Sequence, residues 1–181
     1  MRWGRVVMSS LLVEGNLQFD FSGCKPCKPV EKFDEMQCNP YGMGAVDFVV
    51  ETTDALYFIE VKDFQNPRAT SERNREDAKM LSTAIEKNET VFPIKMGQKF
   101  KDSLLRKYAL GEKISKKVVY LLLINFDKFT PHERGLLEVK ISGHIPTGLN
   151  NSRFNEFTNV HFEIVDVHKM LTYGINCTPI I

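Results

Sequence analysis

Two apolar stretches joined by a short connector, Ala45–Glu51 (AVDFVVE) and Leu56–Asp63 (LYFIEVKD), limit the fold more than any other part of the chain. β-Branched and aromatic residues dominate both, and Thr52–Ala55 (TTDA) between them suits the loop of an antiparallel hairpin. Strand side chains alternate faces, so Glu60 and Lys62 must share a side with Leu56 and Phe58, leaving Tyr57, Ile59 and Val61 on the other. The second strand is therefore apolar on both faces and should be covered on both. Asp47 in the first strand and Glu60 and Lys62 in the second carry charge into this pair, and a charge taken out of water must be paired or metal-bound.

The remaining chain supplies the layers such a strand needs. Lys117–Phe126 (KVVYLLLINF) is apolar on both faces and reads as a central strand, and Val160–Val167 (VHFEIVDV) reads as a further one. Helices are predicted over Asp77–Glu89, over Gly97–Leu110 and over Pro131–Val139. The second would bury Phe100, Leu104, Leu105 and Tyr108 and stop at Gly111; the third starts on a proline in its first turn. Val30–Met36 is predicted as a short helix ended by Asn39–Gly44 (NPYGMG), and Ser22–Pro29 (SGCKPCKP) as a turn-rich loop. Gln65–Lys79 is a polar excursion before the first of the long helices. Val6–Val13 and Leu17–Phe21 fit either an opening strand or a helix start, and the tail after Met170 carries no clear pattern. This order predicts an α/β domain with a mixed β-sheet and flanking helices. A glycine fingerprint after a strand and a Walker lysine are both missing, which argues against a doubly wound nucleotide fold.

At 181 residues, a single domain spanning 1–181 is expected. With 43% hydrophobic and 26% charged residues, the chain is too apolar for disorder. A net charge of +1 makes any polyanion site a local patch. The N-terminal run after Arg2 and Arg5 passes into Glu14 without a small-residue cleavage site, so no secretion signal is expected. No stretch has the length of a membrane span, and 4 cysteines in a chain of this size do not suggest a disulfide scaffold. A cytoplasmic protein with no membrane partner is the expectation.

If the hairpin brings Asp47 near Glu60, two carboxylates share a site of low polarity. At about 4 Å they would repel by roughly 4 kcal/mol at an effective dielectric near 20. One must then take a proton, or a cation must lie between them. Mg²⁺ or Mn²⁺ suits carboxylate oxygens, and the Val61 carbonyl is a further candidate ligand. Lys62, beside Glu60, could orient a water or stabilise charge on a phosphate.

Asp47 followed by Glu60-Val61-Lys62 at the end of an apolar strand resembles the PD-(D/E)XK, or restriction-endonuclease-like, nuclease superfamily. The resemblance spans roughly Val30–Phe126. It implies an αβββαβ core around a four-stranded mixed sheet, with Asp47 and Glu60 as Mg²⁺ ligands and Lys62 assisting the nucleophilic water. The implied partner is nucleic acid, DNA before RNA, and a homodimer is compatible with it. Val46 stands where the motif's proline would be, and the glutamine–tyrosine element of RecB-like members is absent, since Gln98 is followed by Asp102. In that superfamily the helix before the hairpin often offers a further acid, for which Glu31, Asp34 and Glu35 are the candidates.

Other features compete for attention. Lys95–Lys117 is rich in lysine and arginine; on a helix, Lys99, Lys101 and Arg106 could touch backbone phosphates, or simply keep an amphipathic helix solvated. Cys24, Cys27 and Cys38 look like part of a metal knuckle that Cys177 or a histidine would have to complete. His161, alternating into a strand, reads as structural. Two alternatives to a nuclease therefore stand: a catalytically inactive binding protein on the same fold, and a small domain stabilised by metal on its cysteines.

Overall fold

A computed structural model describes residues 5–7, 11–33, 43–65, 72–146 and 160–180. In chain order its elements are β1 (Arg5–Val7), β2 (Leu11–Glu14), β3 (Leu17–Asp20), β4 (Val30–Lys32), β5 (Phe48–Glu51), β6 (Ala55–Asp63), α1 (Glu72–Glu86), α2 (Val91–Ala109), β7 (Lys117–Asn125), α3 (Pro131–Ser142), β8 (Val160–Val165) and β9 (Asn176–Pro179). The expected hairpin is β5–β6, antiparallel, with Phe48 opposite Ile59 and Glu51 opposite Leu56. Thr52 closes its turn: the Ala55 amide donates to the Thr52 hydroxyl at 3.1 Å, and the Thr52 amide donates to the Ala55 carbonyl at 2.9 Å.

A parallel neighbour needs a crossover long enough to return the chain to the same end of the sheet. α1 and α2 provide it between β6 and β7, which pair in parallel from Ala55↔Lys117 to Asp63↔Asn125. α3 provides the next, and β8 pairs in parallel with β7. On the other side the sheet continues antiparallel through β4 to β1, giving the order β1-β4-β5-β6-β7-β8. A second sheet, β2-β3-β9, is antiparallel throughout. Among the described residues the chain is thus a mixed α/β fold with two sheets and three α-helices.

The period-two pattern of β6 sorts into two cores as expected. Leu56 and Phe58 join Phe92, Met96, Phe100 and Tyr120 beneath the helices. Ile59 and Val61 join Phe19, Phe21, Phe48 and Leu121 beneath the small sheet. Each fully buried Leu, Ile or Phe contributes about 1.5–3 kcal/mol, so both layers hold the central strands. Phe48 packs against Phe19 and Phe21 with ring centroids 5.0 and 5.4 Å apart, which fastens the hairpin to the small sheet.

Several expectations change. Val30–Lys32 is a strand and not the start of a helix, because β1 and β5 offer ladder partners on both sides; Asp34–Met36 lies outside the described residues. The opening pieces form strands joined by a hairpin turn at Gly15–Asn16, where Gly15 adopts φ 59 at no steric cost. α1 begins earlier than expected, at Glu72, and ends at Glu86. α2 begins at Val91, because Pro93 falls in the first turn, where an intrahelical N–H is not required. Its buried face contains Phe100 and Leu104 but not Leu105 or Tyr108, which are 58% and 41% exposed. α3 starts as predicted and runs on to Ser142, with Thr130 and Glu133 forming a capping box ahead of Pro131. β8 ends at Val165, and the tail contributes a 3₁₀ turn at Lys169–Tyr173 and then β9. No helix among the described residues is long and apolar enough to cross a membrane.

Candidate active site

The last registered pair of the hairpin is Phe48↔Ile59, which leaves Asp47 and Glu60 as the next residues on the two strands. The Asp47 carbonyl accepts from the Phe33 amide at 3.0 Å, holding its backbone toward the β4 side. Its side chain crosses the other way, where Oδ2 accepts from the Val61 amide at 2.6 Å. A carboxylate here replaces a ladder bond and so ends the pairing of β5 with β6. In an extended strand the N–H and C=O of one residue point to the same side, so the Val61 carbonyl also points toward Asp47.

Glu60 is fully buried beneath the helices. Its Oε1 accepts from Lys99 Nζ at 2.6 Å and from Lys62 Nζ at 3.0 Å. Its Oε2 is buried and has no hydrogen-bond partner. Lys62 continues to Asp77 Oδ2 at 2.8 Å, and Lys95 closes on Asp77 Oδ1 at 2.6 Å. The chain of charges Lys99–Glu60–Lys62–Asp77–Lys95 therefore runs from the core to the surface, where the Lys95 side chain is 30% exposed. Asp47, Glu60 and Lys62, expected to converge, are brought together.

Burial drives the protonation states apart. It pushes the Asp47 carboxyl well above the usual carboxylate range, the charge of Glu60 adds to this, and Lys99 and Lys62 offset only part of it. Burial also pushes Glu60 upward, but there Lys99 and Lys62 prevail and hold it below the ordinary value. Burial opposes the charge on Lys62 and Lys99 as well, yet Glu60 keeps both raised above a normal ammonium. Asp77 is held low against its own burial by Lys62 and Lys95. Tyr120 lies near enough that burial, then Glu60 and Asp47, push its hydroxyl well up; that hydroxyl donates to the Met96 carbonyl at 3.1 Å. The surroundings thus favour the ionised form at Glu60 and the protonated form at Asp47. This is the arrangement expected of two carboxyl groups with no cation between them.

α2 positions the Asp47 loop. The Gly44 amide donates to Asp102 Oδ2 at 2.8 Å and the Val46 amide to Ser103 Oγ at 2.9 Å. Gln98 Nε2 donates to Asp102 Oδ1 at 2.6 Å, and Ser103 Oγ donates to the Lys99 carbonyl at 2.8 Å. A polar helix face therefore faces the charged end of the strands. Asp77 and the inward role of Lys99 went unread. Lys99 follows Phe92 and Met96 on one helical stripe, and that spacing was the available signal.

Other expected residues fall elsewhere. Lys99 does not present a phosphate contact on the surface, because Glu60 draws it inward. Lys101 is exposed, and the Arg106 guanidinium lies 4.3 Å from the centre of the Phe33 ring. Glu31 pairs with Lys107 from β4 instead of offering an acid from a helix, and Asp34 and Glu35 lie outside the described residues. Cys24, Cys27 and Cys177 carry free thiols, and Cys38 lies outside the described residues. Burial pushes the Cys24 thiol up to about 11 and the Cys177 thiol up to about 12, which opposes the thiolate form a metal needs. His161 is exposed on β8, with Nε2 3.3 Å from the Tyr173 hydroxyl.

Among the described residues no group of three or more His, Cys, Asp or Glu side chains is placed to hold a metal. Mg²⁺ does not require one: it commonly takes one or two carboxylates and completes its shell with water. The unpartnered Glu60 Oε2, the Asp47 carboxyl and the Val61 carbonyl are oxygen donors of the type such an ion takes. Compared with known proteins, the chain matches no family model, no curated protein and no solved structure.

Proposed function

We propose that the chain is a Mg²⁺- or Mn²⁺-dependent nuclease with a PD-(D/E)XK-like core, hydrolysing phosphodiester bonds of nucleic acid, DNA in the first instance. The observation that carries this reading is the buried, unpartnered Glu60 Oε2 on a carboxyl that acts electrostatically on Asp47, with Lys62 on the same strand face. The sheet supports it: β4, β5 and β6 run antiparallel in succession and β7 returns parallel to β6 after two helices, an order compatible with the βββαβ part of that core. Its leading helix has no counterpart among the described residues.

Asp47, Glu60 and the Val61 carbonyl would hold the cation. When bound, it would acidify a water and offset negative charge on the phosphate. Lys62 Nζ, fixed from two sides by Glu60 and Asp77, is rigid enough to donate to the attacking water and orient it. Lys95, at the solvent end of the charge chain, is placed to meet a backbone phosphate. The test is cleavage of DNA and RNA with Mg²⁺ or Mn²⁺ by wild type, Asp47→Ala and Lys62→Ala. Each substitution should reduce the rate at least about 100-fold; cleavage surviving both excludes this site as its source.

A second reading has its own observation. Glu60 already holds two ammonium groups, Lys62 and Lys99, and Asp77 holds Lys62 and Lys95. A cluster whose carboxylates already have cationic partners suits a protein that binds a partner on the same fold without cleaving it. Calorimetric titration with Mg²⁺ separates the two, since failure of Glu60 and Asp47 to take the ion favours the inert protein.

A further inference from the structure

We propose that Phe126 and Phe64 form a stacking platform for an unpaired base of single-stranded DNA whose phosphate lies at Lys62 and Lys95; this names the substrate class of the site above and rests on that reading. Three observations carry it. First, Phe126 breaks the pattern of its own strand. Val118–Ile124 of β7 are buried throughout, and the chain then turns, with the Phe129 amide donating to the Phe126 carbonyl at 3.0 Å. Phe126 stands at this turn 38% exposed, while every other phenylalanine among the described residues is buried or half-buried. A turn needs no ring, and an aromatic side chain left partly in water forgoes part of its burial energy.

Second, its place is fixed relative to the charged cluster. Phe64 follows Glu60 and Lys62 on the face of β6 beneath the helices and packs against that core. The Phe64 amide donates to the Asn125 carbonyl at 3.1 Å, so the ladder with β7 reaches past Asp63 and seats Phe64 beside Phe126. The two ring centroids are 6.2 Å apart with their planes at 77°, an edge-to-face pair that fixes the Phe126 ring without a covering layer. Two residues along a strand span about 7 Å, so the platform begins about that far beyond the Lys62 backbone.

Third, the charges around the rings are already sorted. Asp63, the acid between Lys62 and Phe64, faces the small sheet, where Oδ1 accepts from Asn125 Nδ2 at 2.8 Å and Oδ2 from the Asn16 amide at 3.4 Å. Both oxygens of Asp77 are taken by Lys62 and Lys95. Asp127 and Lys128, next in the turn, are both exposed and of opposite sign. The helix side of this strand end therefore offers ammonium donors to a phosphate and an aromatic face to the base beyond it.

The size of the platform selects its occupant. Two rings are far too little surface for a stable protein interface, which takes about 1,200 Å² or more in total, whereas a single base stacks on a single ring. In duplex DNA each base is already stacked within the helix, so only an unpaired base has a face to give. Stacking is tolerant of sequence because every base has such a face, so the platform should bind single strands without reading them.

The experiment is fluorescence anisotropy of labelled oligonucleotides with the full chain in EDTA, so that no strand is cut. Three probes of equal length are compared: a mixed-sequence single strand, that strand annealed to its complement, and a strand with the same phosphates but abasic spacers in place of nucleosides. Wild type should bind the single strand at least about five-fold more tightly than the duplex or the spacer strand. Phe126→Ala should lose that margin, while its affinity for the spacer strand and its salt dependence stay those of wild type, since no phosphate contact is removed. Phe126→Leu separates stacking from packing and stands in should Phe126→Ala not fold: it keeps apolar bulk against Phe64 but has no aromatic face, so it too should lose the margin. Phe126→Trp should keep it. The proposal is overturned if wild type binds no probe or binds the spacer strand as well as the base-bearing one. It is equally overturned if Phe126→Ala weakens both probes alike or Phe126→Leu binds like wild type. The two readings fail differently. Base-dependent binding without cleavage in Mg²⁺ or Mn²⁺ defeats the nuclease alone, and cleavage without base-dependent binding defeats the platform alone.

Discussion

The buried contact between Glu60 and Lys99 makes a quantitative prediction for a double-mutant cycle. At 2.6 Å and an effective dielectric near 20, the Glu60–Lys99 attraction is about 6 kcal/mol, and the Glu60–Lys62 attraction at 3.0 Å about 5.5 kcal/mol. Much of this offsets the cost of removing the charges from water, so the pair adds little net stability, yet breaking it is costly. Glu60→Gln keeps the shape of the side chain but leaves Lys99 buried without its carboxylate, for which the expected loss is about 3–5 kcal/mol. Lys99 can escape by shedding its proton, and at pH 7.5 that route caps the loss near about 4 kcal/mol, from an ordinary lysine pKa of about 10.4 at 1.36 kcal/mol per pH unit. Lys99→Met costs less, because Glu60 keeps Lys62. In Lys99→Met/Glu60→Gln both charges of the contact are gone, and at least about 2 kcal/mol of the Glu60→Gln loss should return. Urea denaturation of the four proteins at pH 7.5 measures this against a total stability of about 5–15 kcal/mol. Losses that simply add would show that the two side chains are not coupled, and the charge chain described here would be wrong at its centre.

Two further outcomes follow from the same geometry. Asp47 titrates above its ordinary value in the folded chain, so between about pH 4 and that raised value the folded state holds a proton the unfolded state has released. Stability therefore falls as pH rises through this window. Asp47→Asn, which keeps an acceptor for the Val61 amide, should be more stable than wild type at pH 7.5 and lose that advantage near pH 3.5; urea melts in which the difference between the two proteins is the same at both pH values refute this. Ser103→Ala leaves the buried Val46 amide without its acceptor, at a cost of about 1–3 kcal/mol, and should speed hydrogen exchange at Val46; unchanged exchange there would mean α2 does not hold the Asp47 loop.

What could be read from the residues alone was whatever one element determines by itself. LYFIEVKD alternates over its whole length, so the faces of Leu56, Phe58, Glu60 and Lys62 were legible, and a short connector made the opposition of Asp47 and Glu60 legible too. Val30–Lys32 has no period to read; it is a strand because β1 and β5 pair with it. The inward turn of Lys99 has a different cause. It meets Glu60 across 39 residues, and only the way α2 lies over the sheet brings them together. Drawing the buried stripe of α2 through its apolar side chains assigned Leu105 and Tyr108 to the core and Lys99 to the surface, and both assignments fail for one reason. A sheet whose central strand carries Glu60 near its end and whose hairpin is preceded by Asp47 cannot be covered by an apolar helix face at that end, since the acids would lack partners. The covering face must turn polar where the strands do, and it does: Lys99 meets Glu60, Ser103 meets the Val46 amide, and Lys107 meets Glu31. Where a buried strand carries acids, a lysine on the apolar stripe of the next helix is therefore better read first as their counter-charge, and only then as a contact for nucleic acid.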